Sequence, residues 1–225
     1  MYENLLTLPL FKGVSYSRMS EIVGKTKLSF LKYSPGETLI RAGEPCRFLK
    51  FIIGGSARLT ISNINDRFRV HQTLTAPAAI SPDFLFGRDT LYPADARAID
   101  SLSVMQVAKA DFITLLQSDE IILFNYLNTI STNAQKAIDG VVALTTDALE
   151  ERIAFWIIAL TQLGSTDIVL QARQRDLYAL FGVQRTTFVA ALENLRERGI
   201  IEYTSTEIKV NSRRDLRNIL LKVTD

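Results

Sequence analysis

The spacing of apolar residues changes twice along the chain and predicts three successive parts. Between residues 28 and 107, apolar and polar residues alternate in short runs separated by Gly and Pro turns, for example at Gly54-Gly55. Many short alternating strands about eight to twelve residues apart are typical of an antiparallel barrel or sandwich. After a helix at 16–26, we predict strands at 28–33, 38–41, 49–53, 57–61, 68–74, 96–99 and 103–107, with loops at 62–66 and 76–82.

A long helix is predicted next. Helical spacing returns at Ala110 and continues from Asp119 to about Thr145, broken by Gly140. Such a helix carries more apolar surface than one small β domain covers, so we interpret it as a dimerisation helix of the coiled-coil type. The alternative is a helix that lies wholly on its own β domain. Its apolar positions are Ile121, Leu123, Phe124, Leu127, Ile130, Ala134, Ala137, Ile138, Val141, Val142 and Leu144.

The C-terminal part begins with a helix and a helix-turn-helix. The first helix is predicted over 147–163 with Asp147 as its N-cap. Two shorter helices, at 175–181 and 185–198, then flank Gly182, which can take the left-handed backbone of a tight turn. Their apolar residues recur at helical spacing. They are expected to form a shared core of Leu177, Leu180, Phe181, Val183, Phe188, Ala191, Leu192 and Leu195.

A β-hairpin is predicted directly after the helix-turn-helix. Two alternating runs, 199–203 and 207–210, flank the polar residues 204–206. A helix-turn-helix followed by a hairpin is a winged helix. The sequence therefore predicts an α+β protein with an N-terminal antiparallel β-roll of jelly-roll type at 1–117, a long dimerisation helix at 118–146 and a C-terminal winged helix-turn-helix at 147–225.

The polar side of the second short helix carries candidate DNA-reading residues. Arg185, Thr186 and Thr187 fall in its first turn, where a recognition helix presents side chains to the major groove. Arginine suits bidentate contact with guanine, and threonine can meet a thymine methyl or a phosphate. The alternative is a winged helix that docks a protein partner. Candidate phosphate contacts are Arg173, Arg175, Gln184, Thr187, Ser205 and Lys209.

Composition narrows the classes of function. The chain has 225 residues, 47% of them hydrophobic, which is enough for two packed domains, and a formal net charge of +2. Residues 171–225 carry ten Lys or Arg against seven Asp or Glu, a modest basic excess. One Cys, one His and no glycine-rich phosphate loop favour a protein that is not an enzyme. Without an N-terminal signal pattern or a long apolar run, we expect a soluble, cytoplasmic protein.

The order of these parts resembles the Crp/Fnr family of bacterial transcription regulators. The matching stretches are Leu8-Pro9-Leu10-Phe11, Tyr33-Ser34-Pro35-Gly36-Glu37, Phe51-Ile52-Ile53-Gly54-Gly55, and Phe181-Gly182-Val183 followed by Arg185-Thr186-Thr187. The resemblance covers nearly the whole chain. It implies a homodimer that binds double-stranded DNA at a pseudo-palindromic operator, with RNA polymerase as a further candidate partner.

The candidate effector pocket departs from the cyclic-nucleotide-binding members of that family. Alignment by eye places Tyr92 where those members have an arginine for the phosphate, and Asp83 near their ribose-binding glutamate. Ala137 and Ile138 fall where the long helix would carry Thr and Ser for the adenine, and neither side chain forms hydrogen bonds. We therefore predict no tight cyclic-nucleotide binding. Arg88 and Arg97 are the local cations that could replace the missing arginine.

Other cofactors and the operator can also be judged from the resemblance. One cysteine, Cys46, does not supply the four ligands of an iron–sulfur cluster. Haem stays open with His71 as a candidate ligand, although a surface or packing role is the favoured interpretation of this histidine; no cofactor is predicted. The family's base-reading positions fall on Arg185, Thr186 and Ala190, so only the usual arginine is kept. The operator should therefore differ from that of the best-known members.

Overall fold

The computed structural model describes residues 5–63, 65, 67–145 and 148–221. The chain forms two compact units. The first comprises the residues up to Leu59 together with Leu74–Asn133, and the second comprises Thr60–Thr73 together with the residues from Ala134 onward. A short segment of the N-terminal half thus belongs to the C-terminal unit. The boundaries predicted at 117/118 and 146/147 remain predictions, and residues 146 and 147 lie outside the described ranges.

The first unit is a β-roll closed by helices. Its antiparallel sheet has the order β1-β8-β3-β6, and β4, β7 and β2 are neighbours in a second sheet. The core contains Phe11, Phe51, Phe112 and Leu102, all nearly inaccessible to water. The strands of the N-terminal half, of which most of β5 belongs to the second unit, are β1 (Leu28–Tyr33), β2 (Thr38–Ile40), β3 (Phe48–Gly54), β4 (Ser56–Ser62), β5 (Phe68–Thr75), β6 (Ala78–Ile80), β7 (Asp95–Ala98) and β8 (Leu102–Ala108).

Helices frame this roll at both of its chain ends. Short 3-10 turns lie at Pro9–Phe11 and Pro82–Phe84. The α-helices are α1 (Tyr16–Lys25), α2 (Lys109–Ser118) and the long α3 (Glu120–Val142), which a 3-10 turn extends over Ala143–Thr145. Ser15 caps α1 by accepting a hydrogen bond from the Arg18 amide.

The first turns of α3 are fixed to the roll by polar contacts as well as by packing. Asp119 accepts from the Ile122 amide at 3.1 Å and from Arg18 Nε at 2.8 Å. The Asn125 side chain donates to two carbonyl oxygens of the N-terminal segment, and the Tyr126 hydroxyl donates to the Pro82 carbonyl at 2.9 Å. One face of the helix is thereby buried, and the opposite face stays open.

The second unit is a winged helix whose sheet includes part of the N-terminal hairpin. Its strands are neighbours in the order β10-β11-β9-β5, all antiparallel. The core contains Ile153, Leu170, Phe188 and Leu192. Its further elements are α4 (Leu149–Leu160), β9 (Thr166–Ala172), α5 (Gln174–Leu180), α6 (Arg185–Glu197), β10 (Ile201–Tyr203), β11 (Glu207–Val210) and α7 (Arg213–Leu221).

Several local predictions need correction. Residues 78–80 form a strand instead of a loop, and β9 and α7 have no counterpart among the predicted elements. Helix α4 ends at Leu160, not 163, because Thr161 leaves the helix and its hydroxyl bonds back to the Ile157 carbonyl. Its predicted N-cap, Asp147, lies outside the described residues.

The predicted core position Leu180 is wrong. Its side chain is 57% exposed. Leu177 and Phe181 are four residues apart and share the inner face of α5, so the intervening Leu180 turns about 100° away from Phe181 at the helix end. The other predicted core residues of the two helices are buried or half-buried.

Candidate nucleic-acid interface

Helices α5 and α6 form the predicted helix-turn-helix around Gly182. This glycine has φ 65°, in the left-handed region, and its amide donates to the Ala179 carbonyl. The Val183 amide then donates to the Tyr178 carbonyl, which tightens the turn. Gln184 begins α6 as its N-cap residue, and its carbonyl accepts from the Phe188 amide. The turn is therefore closed by backbone bonds and leaves the side chains of α6 available.

Aromatic packing holds the two helices at a fixed angle. Phe181 and Phe188 stack with ring centroids 6.1 Å apart, and Trp156 of α4 meets Phe181 edge-on at 5.5 Å. Arg152 Nη1 donates to the Phe181 carbonyl at 3.3 Å. Such offset and edge-to-face pairs stabilise a site beyond the apolar area they bury. The side chains under α6 are thus closely packed.

The predicted base-reading residues share one open surface. Gln184, Arg185, Thr186, Thr187 and Ala190 are all exposed. The Arg185 side chain makes no hydrogen bond or ion pair with the described part of the chain. Arginines without an internal partner have all their donors free for a ligand. The first turn of α6 therefore presents a guanidinium and two hydroxyls together.

The candidate phosphate contacts cluster less uniformly. Arg173 Nε lies 2.9 Å from Asp176 Oδ2, and Arg175 Nε lies 3.9 Å from the other oxygen of that carboxylate. Ser205 is exposed in the turn between β10 and β11, and its carbonyl accepts from the Gln174 amide at 3.1 Å. The start of α5 and the wing turn are thus in contact. Lys209 lies further along the wing, 3.9 Å from Glu202.

The effector-pocket candidates belong to two different units. Tyr92 is buried, and its hydroxyl donates to the Phe48 carbonyl at 2.8 Å. Burial, and then the neighbouring Cys46, raise the pKa of Tyr92, so it stays a neutral donor. Asp83, Arg88 and Arg97 are exposed on the same unit. The remaining two candidates, Ala137 and Ile138, are exposed on α3 in the other unit.

The single histidine is part of a side-chain network. His71 Nδ1 lies 2.9 Å from the Thr60 hydroxyl, and Nε2 lies 3.1 Å from Gln171 Oε1. Ligation of haem iron by His71 would break one of these hydrogen bonds. Within the described ranges, no group of three or more His, Cys, Asp or Glu side chains is placed to bind a metal. The same ranges hold no helix long and apolar enough to cross a bilayer.

Comparisons with known proteins agree with this two-part architecture. Residues 30–119 match the model of the cyclic nucleotide-binding domain, and residues 151–219 match that of the Crp-like helix-turn-helix domain. The chain is 22% identical over 210 residues to the cyclic AMP receptor protein of Thermus thermophilus. The aligned region covers 90% of this chain and 92% of that protein.

Solved structures show the same fold. The catabolite activator protein of Thermus thermophilus superposes with a TM-score of 0.55 at 18% identity, covering 96% of this chain and all of that one. A transcriptional regulator of Thermotoga maritima superposes with a TM-score of 0.51 at 17% identity, covering 57% of this chain and 98% of its own.

The fold and the exposed helix-turn-helix together define a class of protein, a transcription regulator that joins a cyclic-nucleotide-binding type of β-roll to a winged-helix DNA-binding domain. Both family models match in this order, and together they cover more than two thirds of the chain. The chain belongs to the Crp/Fnr family of transcription regulators. The predicted family and fold class are therefore confirmed.

Proposed function

We propose that this regulator binds a pseudo-palindromic operator as a homodimer and acts without cyclic AMP. The observation that carries the DNA-binding role is the free, exposed Arg185 in the first turn of α6, above a scaffold of packed aromatic rings. Arg185 and Thr186 would read base edges, and Ala190 would contact a thymine methyl. The flanking polar residues at 173, 175, 184, 187, 205 and 209 would position the domain on phosphates.

The open face of α3 supports dimerisation. Phe124, Leu127, Ile138 and Val141 are between 46% and 67% exposed. With Ser131 and Ala134 they continue an alternating spacing of three and four residues, the a and d positions of a coiled coil. Apolar side chains in such a continuous row are costly to leave in water. A second copy of the same helix would cover them.

The surroundings of Tyr92 argue against cyclic AMP as the signal. A neutral phenol that already donates to the Phe48 carbonyl supplies no charge to a cyclic phosphate. The two candidate cations, Arg88 and Arg97, are exposed. We infer that the β-roll either responds to another ligand or serves as a fixed scaffold. We expect the protein to act in the bacterial cytoplasm, with RNA polymerase as its partner at promoters.

Selection from random DNA tests the proposal. The full chain is incubated with a pool of random duplexes at two salt concentrations, with and without cyclic AMP. We expect enrichment of a two-fold symmetric site. Binding to this site should be equally tight with and without cyclic AMP, and affinity should fall steeply as the salt concentration rises. The Arg185→Ala variant should lose the site, whereas Arg47→Ala, which removes an exposed arginine from the β-roll, should keep it.

Three results would contradict parts of this proposal. Failure to enrich any sequence in either condition would reject DNA as the partner and favour a protein partner for the winged helix. Binding that requires cyclic AMP would overturn the ligand inference alone. An asymmetric site bound by a monomer would reject the homodimer.

A further inference from the structure

Helix α3 presents one narrow face of its C-terminal part to α4. Between Ala134 and Val142, Gly140 is buried and Lys136 is half-buried, whereas the other residues are exposed. Residues four apart lie on the same side of an α-helix, so Lys136 and Gly140 share this face. This part of α3 and the whole of α4 belong to the second unit.

The absence of a side chain at Gly140 allows the two helices to approach closely. A methyl group added to its Cα would lie 2.5 Å from the Ala159 Cβ, well inside van der Waals contact. The same position lies 3.8 Å from the Ala159 Cα and from the Phe155 carbonyl oxygen, which is ordinary contact. Glycine destabilises the interior of a helix relative to alanine, and here it permits a contact that alanine would prevent.

A lysine one turn before Gly140 joins the same two helices by a polar contact. Lys136 Nζ donates to the Thr161 carbonyl at 2.6 Å, directly after the end of α4. A positive charge is favourable there because the C-terminal end of a helix dipole is negative. The Thr161 hydroxyl donates in turn to the Ile157 carbonyl at 3.0 Å. One apolar and one polar contact therefore restrict both the distance and the angle between α3 and α4.

Helix α4 connects this contact with the recognition helix. Its inner face belongs to the winged-helix core, where Ile153 and Ile157 are buried. Trp156 meets Phe181 edge-on at 5.5 Å, and Phe181 stacks on Phe188 of α6. Close-packed interiors transmit displacements, so a shift of α4 moves α6 as well.

The opposite face of α3 carries the proposed dimer seam. With about 100° between successive residues, Ile138 and Val141 lie about 160° and 100° around the helix from Gly140. Their side chains are 63% and 67% exposed. One short stretch of α3 would thus contact the partner subunit on one side and α4 on the other. The distance between the seam and α4 then determines how far apart the two recognition helices lie in the dimer.

We propose that Gly140, through its close contact with Ala159, determines the spacing of the two operator half-sites. Dimeric helix-turn-helix proteins bind half-sites about one turn of DNA apart, and the separation of their recognition helices matches that spacing. One base pair changes it by about 3.4 Å, and two-fold symmetry makes any displacement of α4 occur twice. The proposal rests on the proposed function, because it assigns a role in specificity within the same dimer and DNA complex.

The spacing preference of the full chain tests this role. The symmetric duplex recovered from the random pool is compared with duplexes whose central spacer is one base pair longer or shorter. Gly140→Ala should reduce the preference for the recovered spacing about tenfold, because an extra methyl group in a packed contact forces the helices apart. The half-site sequence should stay the same. Gly24→Ala makes the same change in α1, where an added Cβ would clash with nothing, and should match wild type.

A compensating variant separates the helix contact from a general loss of stability. Gly140→Ala/Ala159→Gly moves the methyl group from α4 to α3, where it would lie 3.8 Å from the Cα of residue 159. The gain in helix propensity at one position offsets the loss at the other. The spacing preference should therefore return to that of wild type. Sedimentation should show that both variants remain dimers, because position 140 faces away from the seam.

Four results would overturn this inference. They are an unchanged spacing preference in Gly140→Ala, an equal loss of affinity for all three spacers, a changed preference that Ala159→Gly does not restore, and dissociation of the Gly140→Ala dimer. In each case the regulator function stands as long as wild type binds the recovered duplex and Arg185→Ala does not. If wild type recovers no symmetric duplex, the proposed function and this inference fail together.

Discussion

Arg185 and Tyr92 are both candidate binding residues, but only Tyr92 has a hydrogen-bond partner within the described part of the chain. Arg185 is exposed and has no partner in the described part of the chain, whereas Tyr92 is buried and its hydroxyl is bound to the Phe48 carbonyl. A group whose partner lies inside the chain contributes to stability and has little left for a ligand. A group without an internal partner is available for binding. Within the β-roll, the Tyr92 hydroxyl therefore contributes its hydrogen bond to the fold.

The largest effect on stability is expected from truncation of a buried aromatic side chain that packs beneath the exposed residues of α6. Phe188 is fully buried and stacks on Phe181, so Phe188→Ala should lower the free energy of unfolding of the second unit by about 3–5 kcal/mol. Denaturant unfolding followed by the fluorescence of Trp156, the single tryptophan, reports on this unit. The control Leu180→Ala truncates an exposed side chain and should change stability by less than about 0.5 kcal/mol. Equal losses in the two variants would show that Phe188 does not support the helix as described.

A smaller effect is expected on the open face of α3, where the proposed apolar partner is a second copy of the chain. Ile138 is 63% exposed on α3, and covering an isoleucine side chain is worth about 1.5–3 kcal/mol. Ile138→Ala should therefore weaken dimerisation more than tenfold, as measured by sedimentation over a dilution series. Ile113→Ala removes a partly exposed residue of the same type from α2 and should leave the dimer intact. If the two variants dissociate alike, the exposed face of α3 is not the dimer seam.

The internal hydrogen bond of Tyr92 should contribute about 1 kcal/mol. Tyr92→Phe keeps the ring and removes the donor to the Phe48 carbonyl, so the first unit should lose about 0.5–1.5 kcal/mol of unfolding free energy. DNA binding should not change, because the residue acts within the β-roll. Thermal and denaturant unfolding of this variant measure the loss. A variant as stable as wild type, or one that gains cyclic AMP binding, would contradict the conclusion that the Tyr92 hydroxyl stabilises the fold while Arg185 is available for a ligand.

Most of the fold can be predicted from local patterns, because strand alternation and helical spacing are properties of neighbouring residues. The predicted strands 28–33 and 68–74 and the two helices around Gly182 agree closely with the observed elements. Strand β9 escapes prediction because it pairs with β5, about a hundred residues earlier, and nothing in its own short apolar run identifies that partner.

The residues of the candidate site also differ in whether neighbouring residues or long-range contacts determine their surroundings. Arg185 and Thr186 can be proposed from the sequence because their proposed role follows from their positions in one helix. The contact between His71 and Gln171 carries no local signal, since it exists only once β5 and β9 have paired. The exposure of Leu180 does not follow from spacing alone, since it depends on where α5 ends.

The smallest expected effect is present at neutral pH, is lost at acid pH and concerns the ion pair at the start of α3. Burial alone would raise the pKa of Asp119, but the hydrogen bond from Arg18 and the amide of Ile122 hold that pKa below its usual value. A carboxylate with a depressed folded-state pKa stabilises the fold above its unfolded pKa of about 3.9, and the contribution is lost as pH falls through the lower folded value. Asp119→Asn keeps an oxygen for the Ile122 amide and loses the ion pair. Its melting temperature should therefore lie slightly below that of wild type at pH 7, with the gap closing below about pH 4. A difference in melting temperature that stays constant between pH 7 and pH 4 would mean that the negative charge of Asp119 does not stabilise the contact between α3 and Arg18. The hydrogen bond from the Ile122 amide to Asp119 would then be the contact that matters.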